Sequence, residues 1–492
     1  MLCWFYQPHL RATIVTHYLI IDQGGQASRA FLFSTEGQTL AHARQPVATR
    51  RPRCGWVEQD AEQVLAATEG VIERVLGHSD RTTPVTVALT CQRASVLCWH
   101  RRTGQPLSPV ISWQDTRNAA LLEELPIEPA MLRRRTGLFA SAHYGASKLA
   151  WCWQHLPDVR RAAAEQQLAW GPLASFLVYR LVAGQPYLVD FTLAQRTLLW
   201  SLASRDWDEN LLGLFRLPAV PLPRCVPSRF DYGPLDPRRF KHAALTLKLV
   251  MGDQPASLFA AGPLSPTRIY VNIGTGAFVQ ALAAHADAIH PRQLCSLIPG
   301  EHGERFIAEG TVNGAASALQ WLAGRHPHWQ APDSFDTALG DTLEPALFFN
   351  TVGGLGSPYW QSSPAPFFKS PATPLQEWAG VLESILFLIQ INIDLLPAGP
   401  HAPIIISGGL SRSDAFCARL ADLSQRPVER SASVENTVYG ALQQFLGTPA
   451  ERPATVFVPR PDPVLQHRFD SWRRMMAEYT GYAFELPRLP PG

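Results

Sequence analysis

The stretch "YLIIDQGGQASRAFLFS" at residues 18–34 runs an apolar segment into an acid, two glycines and small polar residues, then into an arginine and a second apolar segment. Tyr18–Ile21 and Arg29–Phe33 read as the two strands of a hairpin, since each is a short apolar run bounded by turn residues. An acid at a strand end, beside a loop almost without side chains, suits the holding of a metal and a phosphate, because bare backbone N–H groups can approach an anion. "RIYVNIGTGAFVQAL" at 268–282 repeats the plan as strand, Gly-Thr-Gly turn and strand. Two such openings, each followed by alternating helix and strand, constrain the chain to a layered α/β fold in two related halves.

The segments between them fit that frame. "DAEQVLAATEGVIERVLG" (60–77) is an amphipathic helix with Asp60 as cap, Gln63 in a capping-box position and Gly77 at its end. "PVTVALT" (84–90) is the next strand, and 148–156 and 172–182 read as helices. The proline-rich segment 217–237 reads as irregular connection. In the second half, "PIIISGG" (403–409) is a strand ending in two glycines, and 413–424 is a capped helix. The apolar stretch 380–396 carries Glu383, Gln390, Asn392 and Asp394, so it reads as a helix in a large core and not as a membrane span. Residues 467–482 read as a terminal helix packed back on the body. The expected organisation is an extension at 1–16, disordered or a mis-called start, a first domain at 17–262, a second at 263–447 and a tail at 448–492.

Composition excludes several classes. A chain of 492 residues has room for two or three domains, and 46% hydrophobic with 17% charged residues excludes a disordered protein. With 43 basic against 41 acidic residues there is no excess that would point to nucleic acid or an anionic membrane. The eight cysteines form no CxxC pair and no zinc-ligand spacing, which fits free thiols in a reducing cytoplasm.

Three glycine turns, Gly24-Gly25, Gly274-Thr275-Gly276 and Gly408-Gly409, each follow an aliphatic strand. The chain has no GxxxxGK[ST] and no GxGxxG, so a phosphate site here belongs to neither the P-loop nor the Rossmann type. Asp253 in "VMGDQPASLF" could take a proton from an attacking hydroxyl, although an aspartate there could equally cap a helix. Arg93, Trp113, Asp115 and Arg117 place polar and aromatic groups near strand ends, as a polyol or sugar site requires, whereas Trp113 taken alone would read as a core aromatic.

Taken in order, "DQGGQASRAFLF", "GWVEQD", "QRASV…TGQPL…SWQDTR", "DFTLAQRTLLW", "GDQPASLF", "IGTGAF", "EGTVNGAASALQWL", "GGLGSPYW" and "SGGLSRSDAF" resemble the motifs of the FGGY family of carbohydrate kinases, most closely its glycerol kinase branch, across residues 17–447. The resemblance implies an α/β, two-domain actin-like (ribonuclease H-like) ATPase fold, with ATP and Mg²⁺ in the cleft between the domains. It implies that Asp22, together with Asp253, serves the metal. Gly24, Gly25, Ser28 and Arg29 would face the β- and γ-phosphates, and Gly274, Thr275 and Gly276 would hold phosphate from the other side. Gln320, Gly408, Gly409 and Ser413 would line the adenosine pocket. Asp253 would be the base, and Arg93, Trp113, His143, Gln254 and Phe278 would hold a small polyol or sugar acceptor. A cytoplasmic enzyme is implied, possible as a homo-oligomer, with no nucleic-acid or membrane partner.

The chain departs from the branch at defined points. Ala94 stands where the branch has a glutamate, and His143 where it has a tyrosine, so the acceptor is expected to be larger than glycerol. Gly25, Gln26 and Ala27 replace two threonines and a serine of the phosphate hairpin. A non-catalytic sugar- or nucleotide-binding regulator is the competing reading, against which stand the intact Asp253 and Asp22, since a sensor needs no base; an actin-like ATPase or chaperone is a more distant one, which would not need the acceptor motifs.

Overall fold

The structure is a computed structural model, and it describes residues 16–242, 244–329, 336, 344–361, 365–431, 435–447 and 455–482. The N-terminal extension expected at 1–16 thus lies outside the described residues, Thr16 apart. Strand β1 (His17–Gln23) pairs antiparallel with β2 (Ala27–Phe33), which pairs antiparallel with β3 (Thr39–Pro46). Helix α1 (Ala61–Leu76) follows, with the Asp60 carboxylate accepting from the Glu62 and Gln63 amides as the sequence implied. Strand β4 (Val85–Cys91) then runs parallel to β1 on its other side. Strands β5 (Arg229–Pro234) and β6 (Leu245–Gly252) complete the order β5-β6-β4-β1-β2-β3.

A smaller sheet, in which Val96–His100 pairs with Val110–Ile111 and Leu168–Pro172, sits beyond β4, covered by helix α2 (Gly145–His155). The 217–237 segment is more ordered than its prolines suggest, since it holds strand Arg224–Val226 as well as β5. Strand β5 is an edge strand with Pro234 as its last residue, a place where a missing N–H is tolerated.

Strand β6 runs into helix α3 (Asp253–Leu258). The second half then repeats the first. Strands β7 (Ile269–Ile273) and β8 (Ala277–Ala283) form the second hairpin, β9 (Leu294–Gly300) and β10 (Gly303–Val312) extend it, and helix α4 (Ala316–Arg325) follows. After helix α5 (Pro374–Asp394), strand β11 (Ile404–Gly408) returns parallel to β7, as β4 does to β1. Helix α6 (Asp414–Ser424), strand β12 (Val428–Arg430), helix α7 (Asn436–Leu446), strand β13 (Thr455–Phe457) and helix α8 (Pro463–Thr480) finish the described chain. The sheet order is β9-β10-β8-β7-β11-β12-β13.

Alternation along β1 explains why helices lie on both faces of its sheet. Leu19 and Ile21 join Val64, Val71 and Ile72 of α1, whereas Ile20 joins Ala88, Leu249 and Met251 with Val438 and Leu442 of α7. Helices α3 and α7 cross between the two sheets, and a Cβ at Gly440 would lie 1.8 Å from the Ala256 carbonyl oxygen, so only glycine permits this approach. Helix α5 is buried along most of its length, and two of its polar side chains tie it to its surroundings. Glu383 accepts from Arg419 at 2.9 Å and from Arg468 Nε of α8 at 2.9 Å, and Asn392 donates to the Ser357 carbonyl at 3.0 Å. Helix α8 docks through Trp472, which is fully buried and donates to the Phe348 carbonyl at 2.9 Å. Among the described residues no helix is long and apolar enough to cross a membrane, and the cysteines other than the undescribed Cys3 are free thiols.

Candidate active site

Parallel strands β1, β4 and β6 end at one edge of the first sheet, and β7 and β11 end at the facing edge of the second. Open α/β sheets bind ligands beyond the carboxyl ends of such strands. Asp22 lies opposite Thr90 in register, and Asp253 is the residue after β6. Asp22 is buried; its Oδ1 accepts from Thr90 Oγ1 at 2.9 Å and its Oδ2 from Arg29 Nε at 3.0 Å. Arg29 also bonds Glu435, which precedes α7, so one guanidinium lies between two carboxylates.

Asp253 is not the N-cap of α3; Gly252 is, and Asp253 is the first helical residue. Its pKa is pushed up to about 6 by burial, with Arg93 opposing and Asp22 adding to the rise. A chain of hydrogen bonds holds it in place. The Gly252 amide donates to Thr192 Oγ1 at 2.9 Å, and Thr192 Oγ1 donates to the buried Asp190 at 2.7 Å.

One cavity of about 530 Å³ is lined by Gly25, Arg93, Trp113, His143, Gln254 and Phe278 among others, so the structure brings the expected acceptor residues together. Trp113 is 39% exposed on the cavity wall and is no core aromatic. Its carbonyl meets His143 Nδ1 at 3.0 Å. Arg93 lies 5.8 Å from the centre of the Phe278 ring, a contact between the two halves. Both polar atoms of the Gln254 amide are buried and lack a protein partner. A second space, lined by Arg29, Asn272, Gly408 and Glu435, meets the first at Asp253, Gln254 and Phe278, which line both.

The residues expected to face a nucleotide give a mixed picture. Thr275 lines the large cavity, and the Thr275 carbonyl accepts from Ala315 and Ser317 amides at 3.2 and 3.1 Å, which ties the Gly274–Gly276 turn to the start of α4. Positive φ is needed only at the third turn, where Gly408 has φ +96° and a Cβ would lie 2.2 Å from the Ile273 carbonyl oxygen. Gly409 has open space around it. Gly24 and Gly25 keep ordinary φ, and a Cβ at either would make only ordinary contacts. Three other expectations do not place a free side chain at the site. Ser28 is fully buried, with its hydroxyl bonded to Gln23, because it points to the opposite face of β2 from Arg29. Ser413 caps α6 and donates to Asp336 at 2.6 Å. Gln320 lies on the exposed face of α4 and lines neither cavity.

Models for the N-terminal and C-terminal domains of the FGGY family of carbohydrate kinases match residues 17–259 and 269–444. The chain belongs to this family. It is 33% identical over 442 residues to a glycerol kinase of Rhodospirillum rubrum, covering 86% of this chain and 88% of that one. A glycerol kinase of Xanthobacter autotrophicus is 33% identical over 447 residues, covering 87% and 89%. Among solved structures, Plasmodium falciparum glycerol kinase with ADP superposes with a TM-score of 0.82 at 19% identity, over 96% of this chain and 99% of that one. Ligand-bound xylulose kinase from Lactobacillus acidophilus gives 0.79 at 17% identity, over 95% and 99%. These likenesses show the shared two-domain fold.

Within this FGGY chain, sequence reasoning missed a buried ionic cluster in the cavity wall. Arg196 Nη2 donates to both Glu309 oxygens at 3.0 Å and to Ser296 at 2.7 Å, and Gln280 donates to Glu309 at 3.0 Å. Arg93 stands 3.5 Å from the same carboxylate. Burial raises the Glu309 pKa, but Arg196 and Arg93 outweigh it and hold the pKa below the usual value. The signal was present in the motifs, as an arginine inside "DFTLAQRTLLW" and an acid inside the strand "FIAEGTV". Only the fold shows that they meet.

Proposed function

We propose that this protein is an ATP-dependent kinase that phosphorylates a hydroxyl of a polyol or sugar larger than glycerol. The observation that carries the reading is the junction at Asp253, which belongs to both the acceptor cavity and the space bounded by Arg29, Asn272 and Gly408. A base at that point reaches the acceptor hydroxyl while the nucleotide's terminal phosphoryl group lies on the other side.

In this reading the acceptor lies between Arg93, Trp113, His143, Gln254 and Phe278. The unpartnered Gln254 amide supplies a donor and an acceptor for its hydroxyls. The Asp253 carboxylate takes the hydroxyl proton as the new O–P bond forms and the bridging O–P bond to the β-phosphate breaks, a contribution of about 10²–10⁴ in rate. Asp22 and Asp253 fit Mg²⁺, a hard ion that takes one or two carboxylates and completes its shell with water and phosphate oxygens. When bound, it supplies neutralisation of phosphate charge. The turns at Gly24–Gly25 and Gly274–Gly276 approach the phosphates from the two halves, with Gly408–Gly409 beside the nucleoside. We place the boundary between the acceptor half and the nucleotide half near residue 262. A cytoplasmic location, where Mg-ATP is available, goes with this reading.

Ala94 supports the acceptor class. A glutamate there would offer an acceptor hydroxyl a charge-assisted bond of about 1.5–3 kcal/mol. Ala94 offers none, and the space it leaves extends to Arg196 and Glu309. ADP release with Mg-ATP, measured across glycerol, erythritol, longer polyols, ketoses and aldoses, tests the proposal. The expected result is stimulation by an acceptor of four or more carbons with weak response to glycerol. Stimulation by glycerol above all others would overturn the acceptor class, and no stimulation by any would favour the regulator.

A further inference from the structure

Lys148 lies in the first turn of α2 and is fully buried. Its ammonium donates to three backbone carbonyls: Ala94 at 3.1 Å, Ser112 at 2.8 Å and His143 at 2.6 Å. An ammonium has three N–H donors, so three carbonyls saturate it. Burial pulls the Lys148 pKa down to about 7, and hydrogen bonds to three carbonyls favour the protonated form that can donate to all of them.

The identity of those carbonyls matters. Ala94 adjoins Arg93, Ser112 adjoins Trp113, and His143 is itself a wall residue, so each carbonyl belongs to one of three separate segments that line the acceptor cavity. Ala94 has φ +60°, a left-handed conformation that a non-glycine residue keeps only when its surroundings hold it. The bond to Lys148 fixes its carbonyl in that orientation. Further bonds tie the same segments. The Trp113 amide donates to Ser95 Oγ at 3.0 Å, and Asn118 Nδ2 donates to the Ser147 carbonyl at 3.0 Å. At the start of α2, a Cβ on Gly145 would lie 2.9 Å from Val96 Cγ1, so the helix can shift little and Lys148 is aimed by a packed element.

We infer that Lys148 is a positioning residue for the acceptor site: one buried ammonium sets the mutual spacing of Arg93, Trp113 and His143 without touching the acceptor. The inference rests on the reading of this cavity as the acceptor site. It differs from a scaffold role in where its loss is felt. Without the ammonium the three segments lose a common anchor, whereas the hairpin β7–β8 and the end of β11 do not.

The test compares the full-length protein with Lys148→Met and Lys148→Gln by amide hydrogen exchange, and by steady-state kinetics with erythritol and glycerol as acceptor probes. The expected result is joint acceleration of exchange at 93–96, 112–116 and 141–145, about tenfold or more in Lys148→Met and less in Lys148→Gln. Exchange at 272–278 and 404–408 should stay unchanged. Acceptor KM should rise about tenfold, with the ATP KM moving less than about twofold. Acceleration at one segment alone, equal acceleration in both halves, or an unchanged acceptor KM overturns the inference. So does failure of both variants to fold, which would mark Lys148 as a scaffold group. If the parent protein turns over neither probe nor any other acceptor, the kinase reading falls, and the exchange comparison, which needs no acceptor, still decides the case of Lys148.

Discussion

The two glycine hairpins are built alike and charged differently. Asp22 stands two residues before Gly24, and Asn272 two residues before Gly274. Asp22 faces Arg29 across its hairpin and Thr90 on the parallel neighbour; Asn272 faces Phe278 and Ser407 at the corresponding places. Even the hydrogen bond to the parallel neighbour is matched, with Thr90 Oγ1 donating to Asp22 at 2.9 Å and Asn272 Nδ2 donating to Ser407 at 2.9 Å. The first hairpin thus carries an acid and a guanidinium, and the second an amide and a ring. Two facing carboxylate hairpins would repel a polyphosphate between them, whereas one acid with a neutral counterpart leaves room for a cation on one side and for anionic oxygens on the other. The comparison teaches that the fold supplies two similar strand ends, and that the chemistry comes from making them unlike.

Among changes to the hairpins, replacing Asp22 with Asn, which makes the first resemble the second, should have the largest effect, a fall in kcat of about 10²–10³, with acceptor KM changed much less. Steady-state ADP release checks it; a kcat within about threefold of the parent would remove Asp22 from the mechanism. The glycines should also separate the hairpins. A Cβ at Gly276 would lie 2.7 Å from the Val312 carbonyl oxygen, but at Gly24 no closer than 3.6 Å to its nearest neighbour. Gly276→Ala should cost about 1–3 kcal/mol in urea unfolding and Gly24→Ala less than about 1 kcal/mol; equal costs would mean that the second turn relaxes freely.

The pH profile gives a smaller but directional effect. Asp253 must be ionised to accept a proton, and burial raises its pKa to about 6. Activity should therefore be present above about pH 6 and decline about tenfold per unit as pH falls below it, at a higher pH than for an ordinary carboxylate. Saturating Mg-ATP should move the limb of kcat lower, since a nearby cation favours the carboxylate. A flat profile between pH 5 and about 8 would contradict the role. The smallest expected effect is that of Asn272→Asp, the reverse exchange. It should weaken ADP binding about fivefold through like-charge repulsion at a partly exposed site, measured by calorimetry, whereas tighter binding would break the comparison.

Much of this was legible in the sequence. The hairpins, α1 with its Asp60 cap, and α5 with its polar residues follow from local pattern, because strand alternation, capping and helical spacing are properties of adjacent residues. The grouping of Arg93, Trp113, His143, Gln254 and Phe278 was legible through the family resemblance, and they do line one cavity. What local pattern could not supply was the direction of a side chain or a partner far along the chain. Ser28 and Arg29 are neighbours in "ASR", yet the pleat sends one into the core and the other to the strand-end edge. Glu435 reaches Arg29 from the start of α7, and Arg196 reaches Glu309 from the other half, so the pairing of neither is written in adjacent residues. Lys148 in "GASKLAWCW" resembles any lysine at the start of a helix until the three carbonyls around it are seen.

The most direct test of the central claim is Mg-ATP-dependent ADP release by the parent protein and by Asp253→Asn, with the acceptor panel in excess and ADP binding measured in parallel. The account predicts an acceptor-stimulated rate in the parent, a loss of about 10²–10⁴ in the variant, and ADP affinity retained in both. Acceptor-stimulated turnover that survives Asp253→Asn within about threefold would contradict it, because the group at the junction of the two cavities would then not be the base.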